Sequence, residues 1–142
     1  VNAGGITYRV PTHSDLEWLE DQAHVSLARD GEGMVAEVNG QRAAVVVAER
    51  WSETAAWIHL AISDPKVCAG RALFRRVCDY VFEDGGRRYI LSTTSSLNTR
   101  SLKLQQALGL AEIGRIPDGF GDGDDIVIMR LKATDWYAKR KH

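Results

Sequence analysis

Cysteine is scarce, at two in 142 residues, which excludes a fold stapled by several disulfides. If Cys68 and Cys78 share one helix they lie about 15 Å apart along its axis, whereas a disulfide needs Cα atoms within about 7 Å. Reduced thiols are expected, and neither cysteine has the neighbouring Cys/His pattern of a zinc site. No uninterrupted apolar run nears the roughly 20 residues of a membrane span. The opening Val1-Asn2-Ala3-Gly4-Gly5 lacks the basic region and long apolar core of a secretory leader, and residues 1 to 5 read as a flexible lead. A cytoplasmic protein without a membrane partner is the expectation. Charge of one sign is also missing: 18 basic against 19 acidic residues leave a net charge of −1. A nucleic-acid partner is not expected, because it would call for a basic field, and the tail Lys139, Arg140, Lys141 is too short to make one.

What is present is 44% apolar and 26% charged residues, an ordinary globular balance. The length suits one domain over residues 1 to 142 that buries roughly two thirds of its unfolded surface, with 135 to 142 as a short C-terminal extension. Ile6 to Val10 alternates as a short strand and Pro11 ends it. Asp15 to Ala28 places Leu16, Leu19, Ala23 and Leu27 on one helical face, with Ser14 as N-cap and Glu17 in the capping-box position. Met34 to Val38 and Arg42 to Arg50 are strands joined by Asn39-Gly40, the strongest hairpin signal in the chain. Ala44-Val45-Val46-Val47-Ala48 is apolar without alternation, as in a strand covered on both faces. A third strand, Ala55 to Ile62, completes an antiparallel meander.

Asp64-Pro65 closes the meander. A helix from Cys68 or Ala69 to Glu83 follows, with Leu73, Val77, Tyr80 and Val81 as its buried stripe. Arg88 to Thr93 is a strand. A second helix from Thr99 to Leu108 turns Ser101, Leu104 and Leu108 to the core and ends at Gly109. Ala111 to Ile116 and Ile126 to Leu131 form a terminal pair around an acidic, glycine-rich loop, Asp118 to Asp125, read as a polar hairpin loop or an acidic fringe for a cationic acceptor. The aromatic and basic tail from Asp135 reads as a terminal packing segment. There is no internal repeat. Strands and helices in this order predict an α/β (mixed α+β) class, a mixed sheet covered by helices.

Two segments carry a resemblance. Pro65-Lys66-Val67-Cys68-Ala69-Gly70, followed by Arg71-Ala72-Leu73-Phe74, stands at a helix start. Asn98-Thr99-Arg100-Ser101, continuing to Gly109-Leu110, stands at the next strand-to-helix passage. In element order and in these words the chain resembles the GNAT N-acetyltransferase family. There the first segment reads Gln or Arg, two variable residues, Gly, one variable residue, Gly or Ala. The second is marked by Asn, a small residue three positions on, and a terminal Gly before an apolar residue. The resemblance implies a central, mostly antiparallel mixed sheet flanked by helices, and acetyl-CoA or another acyl-CoA as cofactor. It also implies transfer of the acetyl group to a primary amine of a small molecule or peptide by direct attack in a ternary complex. A homodimer is the expected assembly.

Residue by residue, the pyrophosphate falls at Lys66, Cys68, Ala69, Gly70 and Arg71. Unpaired N–H groups at a helix start face an anion, Gly70 removes a Cβ from its path, and Lys66 and Arg71 add charge. Asn98 falls near the pantetheine arm and also suits a helix cap, roles that are compatible. Ser101 allows close approach, and Leu60, Ala61 and Ile62 lie on the strand beside the arm. Cys68 replaces the family's first glycine and Pro65 its polar residue.

Acyl transfer needs a neutral amine, and removing a proton from a lysine-like ammonium costs roughly 4.6 kcal/mol at pH 7. His59, on the strand beside the arm, is the candidate base, with packing and acceptor binding as its other readings. Glu49 is a lesser catalytic candidate, since Glu49 and Glu53 both read as solvated strand-end carboxylates. The family's acidic tyrosine falls at Gln105, which cannot act as a phenolic acid. A catalytically weak or inactive CoA-binding or assembly protein is therefore the alternative reading.

Overall fold

The structure, a computed structural model, describes residues 5–28, 30–63 and 68–140, with backbone alone at 68 and 69. Seven strands form one sheet. They are β1 (Ile6–Arg9), β2 (Glu32–Val38), β3 (Gln41–Glu49), β4 (Ala55–Ile62), β5 (Tyr89–Ser95), β6 (Ala111–Gly121) and β7 (Asp124–Lys132). In space they run β1-β2-β3-β4-β5-β7-β6. Every neighbouring pair is antiparallel except β4 with β5. The mixed, mostly antiparallel sheet implied by the sequence is therefore present. Helices α1 (His13–Ala23), α2 (Cys68–Asp79), α3 (Thr99–Ala107) and α4 (Ala133–Arg140) accompany it, and among the described residues no helix is long and apolar enough to cross a membrane.

Strand β3 explains the layering. Ala43 to Glu49 are all buried, so the apolar run without alternation does meet cover on both faces. Val45 and Val47 join Leu19 of α1 in one cluster. Ala44, Val46 and Ala48 join Leu73, Phe74, Val77 and Cys78 of α2 and Trp136 of α4 in the other. Each fully buried Leu, Val or Phe contributes roughly 1.5–3 kcal/mol. Burial pushes the Cys78 thiol up, leaving an inert core residue. The Asn39-Gly40 turn is as read, both residues having positive φ, 53° and 74°.

The first helix starts earlier than the sequence suggested. Its N-cap is Thr12 rather than Ser14, and its capping-box partner is Asp15 rather than Glu17. Both Thr and Ser cap well, so a distant contact decides. Asp15 is buried and accepts from Arg9 Nη1 of β1 at 2.5 Å, from Arg42 Nη1 of β3 at 3.1 Å and from Thr12 N at 2.7 Å. The helix also stops at Ala23, where His24 adopts φ 55° as C-cap, leaving 25–28 without regular secondary structure.

Arg9, with help from Thr12 and Arg42, holds the Asp15 carboxyl well below the usual carboxylate range against the opposing effect of burial. A depressed folded-state pKa stabilises the fold above the unfolded value, about 3.9, and that stability is lost as pH falls through the folded value. Asp15→Ala is expected to lower unfolding stability by about 3 kcal/mol at pH 7. In urea titrations, the gap to the parent protein should close as pH drops through the acid range below about 4. A gap unchanged at low pH would rule out the charged form as its source.

Two further departures follow from packing. Tyr80, expected in the α2 stripe, is 39% exposed. The stripe is broader than read, with Phe74, Cys78 and Phe82 alongside Leu73, Val77 and Val81, so Tyr80 falls at its flank. There the helix passes into a π-helical turn, Tyr80–Asp84, and the phenol donates to Glu32. The presumed loop 118–125 is mostly strand: β6 and β7 stay paired to Gly121↔Asp124 across two irregularities. The Asp124 carboxylate and the Asp125 backbone fasten the hairpin to the β5–α3 turn, Ser95 Oγ donating to Asp124 and Asp125 N to Ser96 Oγ. The aromatic tail forms α4, whose Trp136 packs edge-on against Phe74.

Candidate functional site

Strands β4 and β5 share three rungs, Ala55↔Tyr89, Ala56↔Ile90 and Trp57↔Leu91. Beyond them the strands part, and a cleft of about 480 Å³ opens between Ile58–Ile62 and Ser92–Ser95, walled by Asn98, Ser101, Leu104 and Gln105. Such a gap leaves strand N–H and C=O groups in need of partners. A ligand with amides of its own can meet that need.

The structure gathers most of the sequence candidates here. Leu60, Ala61 and Ile62 supply one wall, and Arg71, Asn98 and Ser101 also line the cleft. Asn98 caps α3, its Oδ1 accepting from Ser101 N at 3.1 Å. Gly70 is buried in the first turn of α2, to which Cys68 and Ala69 contribute backbone. Lys66, like Asp64, Pro65 and Val67, lies outside the described residues. Ser101 and Leu104 were expected in the core. They are half-buried and face the cleft instead, and no residue of α3 is fully buried.

His59 and Glu49 come together. Val47 pairs with His59 and Glu49 with Trp57 across the β3–β4 ladder, and alternation puts Glu49 and His59 on the same face as diagonal neighbours. His59 Nε2 lies 2.9 Å from Glu49 Oε1. Glu49 is not the solvated strand-end carboxylate the sequence suggested: it is wholly buried. The chain that leaves α1 at His24 covers it, and Ala28 N donates to Oε2. Arg50 Nε approaches Oε1 at 3.4 Å. With the carboxylate as acceptor, His59 carries its proton on Nε2 and leaves Nδ1 as the basic nitrogen. Glu53 is exposed and takes no part.

A second cavity, about 340 Å³, lies on the α1 side and is lined by Val25, Ser26, Glu49, Arg50, Trp57, His59 and Thr93. His59 and Thr93 border both spaces. The dyad therefore stands where the cleft and the second cavity meet.

Gln105 has a defined place. Its Oε1 accepts from Ser92 Oγ at 2.5 Å, and its Nε2 donates to Thr94 Oγ1 at 2.6 Å and to Ser101 Oγ at 3.1 Å. Ser92 and Thr94 are buried and were missed in the sequence, as were Arg50 and Trp57. A signal existed for the first two: they continue the inward parity of Ile90 along β5, where apolar residues are the rule. Nothing local distinguished Arg50 or Trp57.

No protein-family model and no curated protein matches the sequence. In fold, the chain is similar to the spermidine/spermine N-acetyltransferase SpeG from Vibrio cholerae in complex with manganese ions. The TM-score is 0.76 at 17% identity, over 97% of this chain and 98% of that one. It is likewise similar to the spermidine N-acetyltransferase from Vibrio cholerae in complex with CoA and spermine. That TM-score is 0.72 at 16% identity, over 94% and 98% of the two chains. A dodecameric structure of that enzyme in an intermediate state gives 0.74 at 16% identity, over 97% and 99%. At such identities the likeness is one of fold.

Proposed function

With the GNAT fold as premise, we propose that the protein is an N-acyltransferase that moves an acetyl group from acetyl-CoA to a primary amine. The observation that carries this reading is the cleft between β4 and β5 meeting a second cavity at the buried His59–Glu49 pair.

The residues present fit the cofactor. Parted strand edges at Leu60, Ala61 and Ile62 offer backbone groups to the amides of a pantetheine arm. Ser101 is small enough for close approach, and Asn98, the N-cap of α3, lies beside the same path. The first turn of α2 offers the backbone N–H groups of Cys68, Ala69 and Gly70 to phosphate, with the exposed Arg71 beside them as a charged donor. Bound acetyl-CoA supplies an acetyl group activated as a thioester.

His59 then performs the proton work. An ammonium entering from the second cavity loses its proton to Nδ1, directly or through one water, so that a neutral nitrogen attacks. Glu49 holds the imidazole in the required tautomer and balances its charge once protonated. Gln105 cannot supply a proton at neutral pH. Its amide fixes the hydroxyls of Ser92, Thr94 and Ser101 along the cleft wall. A CoA-binding protein without turnover remains the second reading, favoured by Gln105 at the position where the family carries its acidic tyrosine.

Purified protein given acetyl-CoA and a panel of primary amines, read by mass spectrometry, separates the two: acceptor-dependent acetylation supports the enzyme, and CoA binding without product supports the second reading. Arg71→Ala is expected to raise the Kd for CoA by about tenfold in a calorimetric titration. An unchanged Kd would remove Arg71 from the phosphate site.

A further inference from the structure

The second cavity is lined by one ion pair, Glu49 with Arg50, whose cationic member has donors to spare. Its single carboxylate among the described lining residues is Glu49, and both oxygens are engaged, Oε1 by His59 and Arg50 and Oε2 by Ala28 N. The single Arg or Lys among the described lining residues is Arg50, whose Nη1 and Nη2 meet no acceptor among the described residues while Nε leans on Glu49. Arg50 also holds an unusual backbone conformation. Its φ is 51°, which a residue with a Cβ adopts only when its surroundings impose it. Those surroundings include Asp30, which accepts from Arg50 N at 3.3 Å. Arg50 is thus turned back beside the dyad at the end of β3. Trp57 and Val25 add apolar surface to the same space.

Resting on the acyltransferase reading above, we propose that the acceptor is a primary amine bearing a carboxylate on the same small skeleton, a compound of the amino-acid class, and not a polyamine. The amine lies at His59, the carboxylate takes the two free nitrogens of Arg50 in the planar fork geometry that matches it, and the body rests on Trp57. A second ammonium at that position meets Arg50 as a like charge, with no unengaged carboxylate among the described lining residues to offset it. Repulsion as well as attraction therefore sorts the acceptors.

Matched pairs test this. Initial rates with acetyl-CoA are measured for L-tyrosine against tyramine, for L-phenylalanine against phenethylamine, and for spermidine, using the parent protein, Arg50→Ala and Arg50→Lys. Each amino acid is expected to exceed its decarboxylated partner in kcat/KM by about tenfold or more, with spermidine the poorest. In Arg50→Ala that ratio should fall by about tenfold, carried by the KM of the amino acids, with Arg50→Lys between. The ratio is the readout because damage relayed through Glu49 would lower both members of a pair alike. Spermidine as the best acceptor, or a ratio unmoved by Arg50→Ala, overturns the acceptor class while leaving acyl transfer standing. Absence of transfer to every amine by protein that binds CoA overturns both.

Discussion

His59→Ala is expected to lower kcat for amine acetylation by about 10²- to 10⁴-fold at pH 7, with little change in CoA affinity. The reasoning runs through the acceptor. Near neutrality an alkylammonium holds its proton by roughly 4.6 kcal/mol, and the imidazole beside both cavities is the group placed to take it. Without that group the reaction depends on the fraction of amine already neutral, which rises tenfold per pH unit up to about pH 10.4. The deficit of the variant should therefore shrink as the assay moves from pH 7 toward 9.5. A deficit constant across that range would mean that His59 packs or binds but moves no proton.

Glu49→Gln should cost about a hundredfold or more in kcat with a much smaller loss of stability. Glutamine keeps the volume, and its carbonyl can still accept from Ala28 N. The amide nitrogen then faces His59 Nε2 as a donor, so Nε2 must accept and the imidazole proton moves to Nδ1. That tautomer presents a donor where a base is needed. Glu49→Ala is the harsher change, since it leaves the half-buried Ala28 N–H and the buried His59 without their partner and is expected to cost about 3 kcal/mol. Steady-state kinetics beside urea unfolding separate the two roles. Full activity in a folded Glu49→Gln protein would make the pair structural only.

The same residues mark how far the sequence could be read. The strand Ala55 to Ile62, with His59 on it, is legible because alternation and turn residues at both ends are local signals. Asn39-Gly40 and Gly109 marked their turns for the same reason, their backbone needs being visible in residue type. The burial of Glu49 is not legible locally, because Ala28, which donates to it, lies twenty-one residues away on a stretch whose period reads as helix. Thr12 and Ser14 could not be ranked as caps without Arg9 and Arg42, which reach Asp15 from two strands. For Gln105 the residue type alone says only that it is no phenolic acid. Its three hydroxyl partners lie on β5 and α3, and its place among them was not visible in the chain.

The sequence by itself determined the class, the order of nearly all elements, and the two segments that point to acyl-CoA. These follow from hydrophobic period, caps and turn residues within a few positions of one another. Tertiary structure decided the site. The cleft exists because β4 and β5, neighbours in space but separated by α2, pair for three rungs and then part. The dyad exists because β3 and β4 bring Glu49 and His59 into diagonal register and the chain after α1 covers them. Both depend on contacts between residues distant along the chain, whose partners no local pattern names.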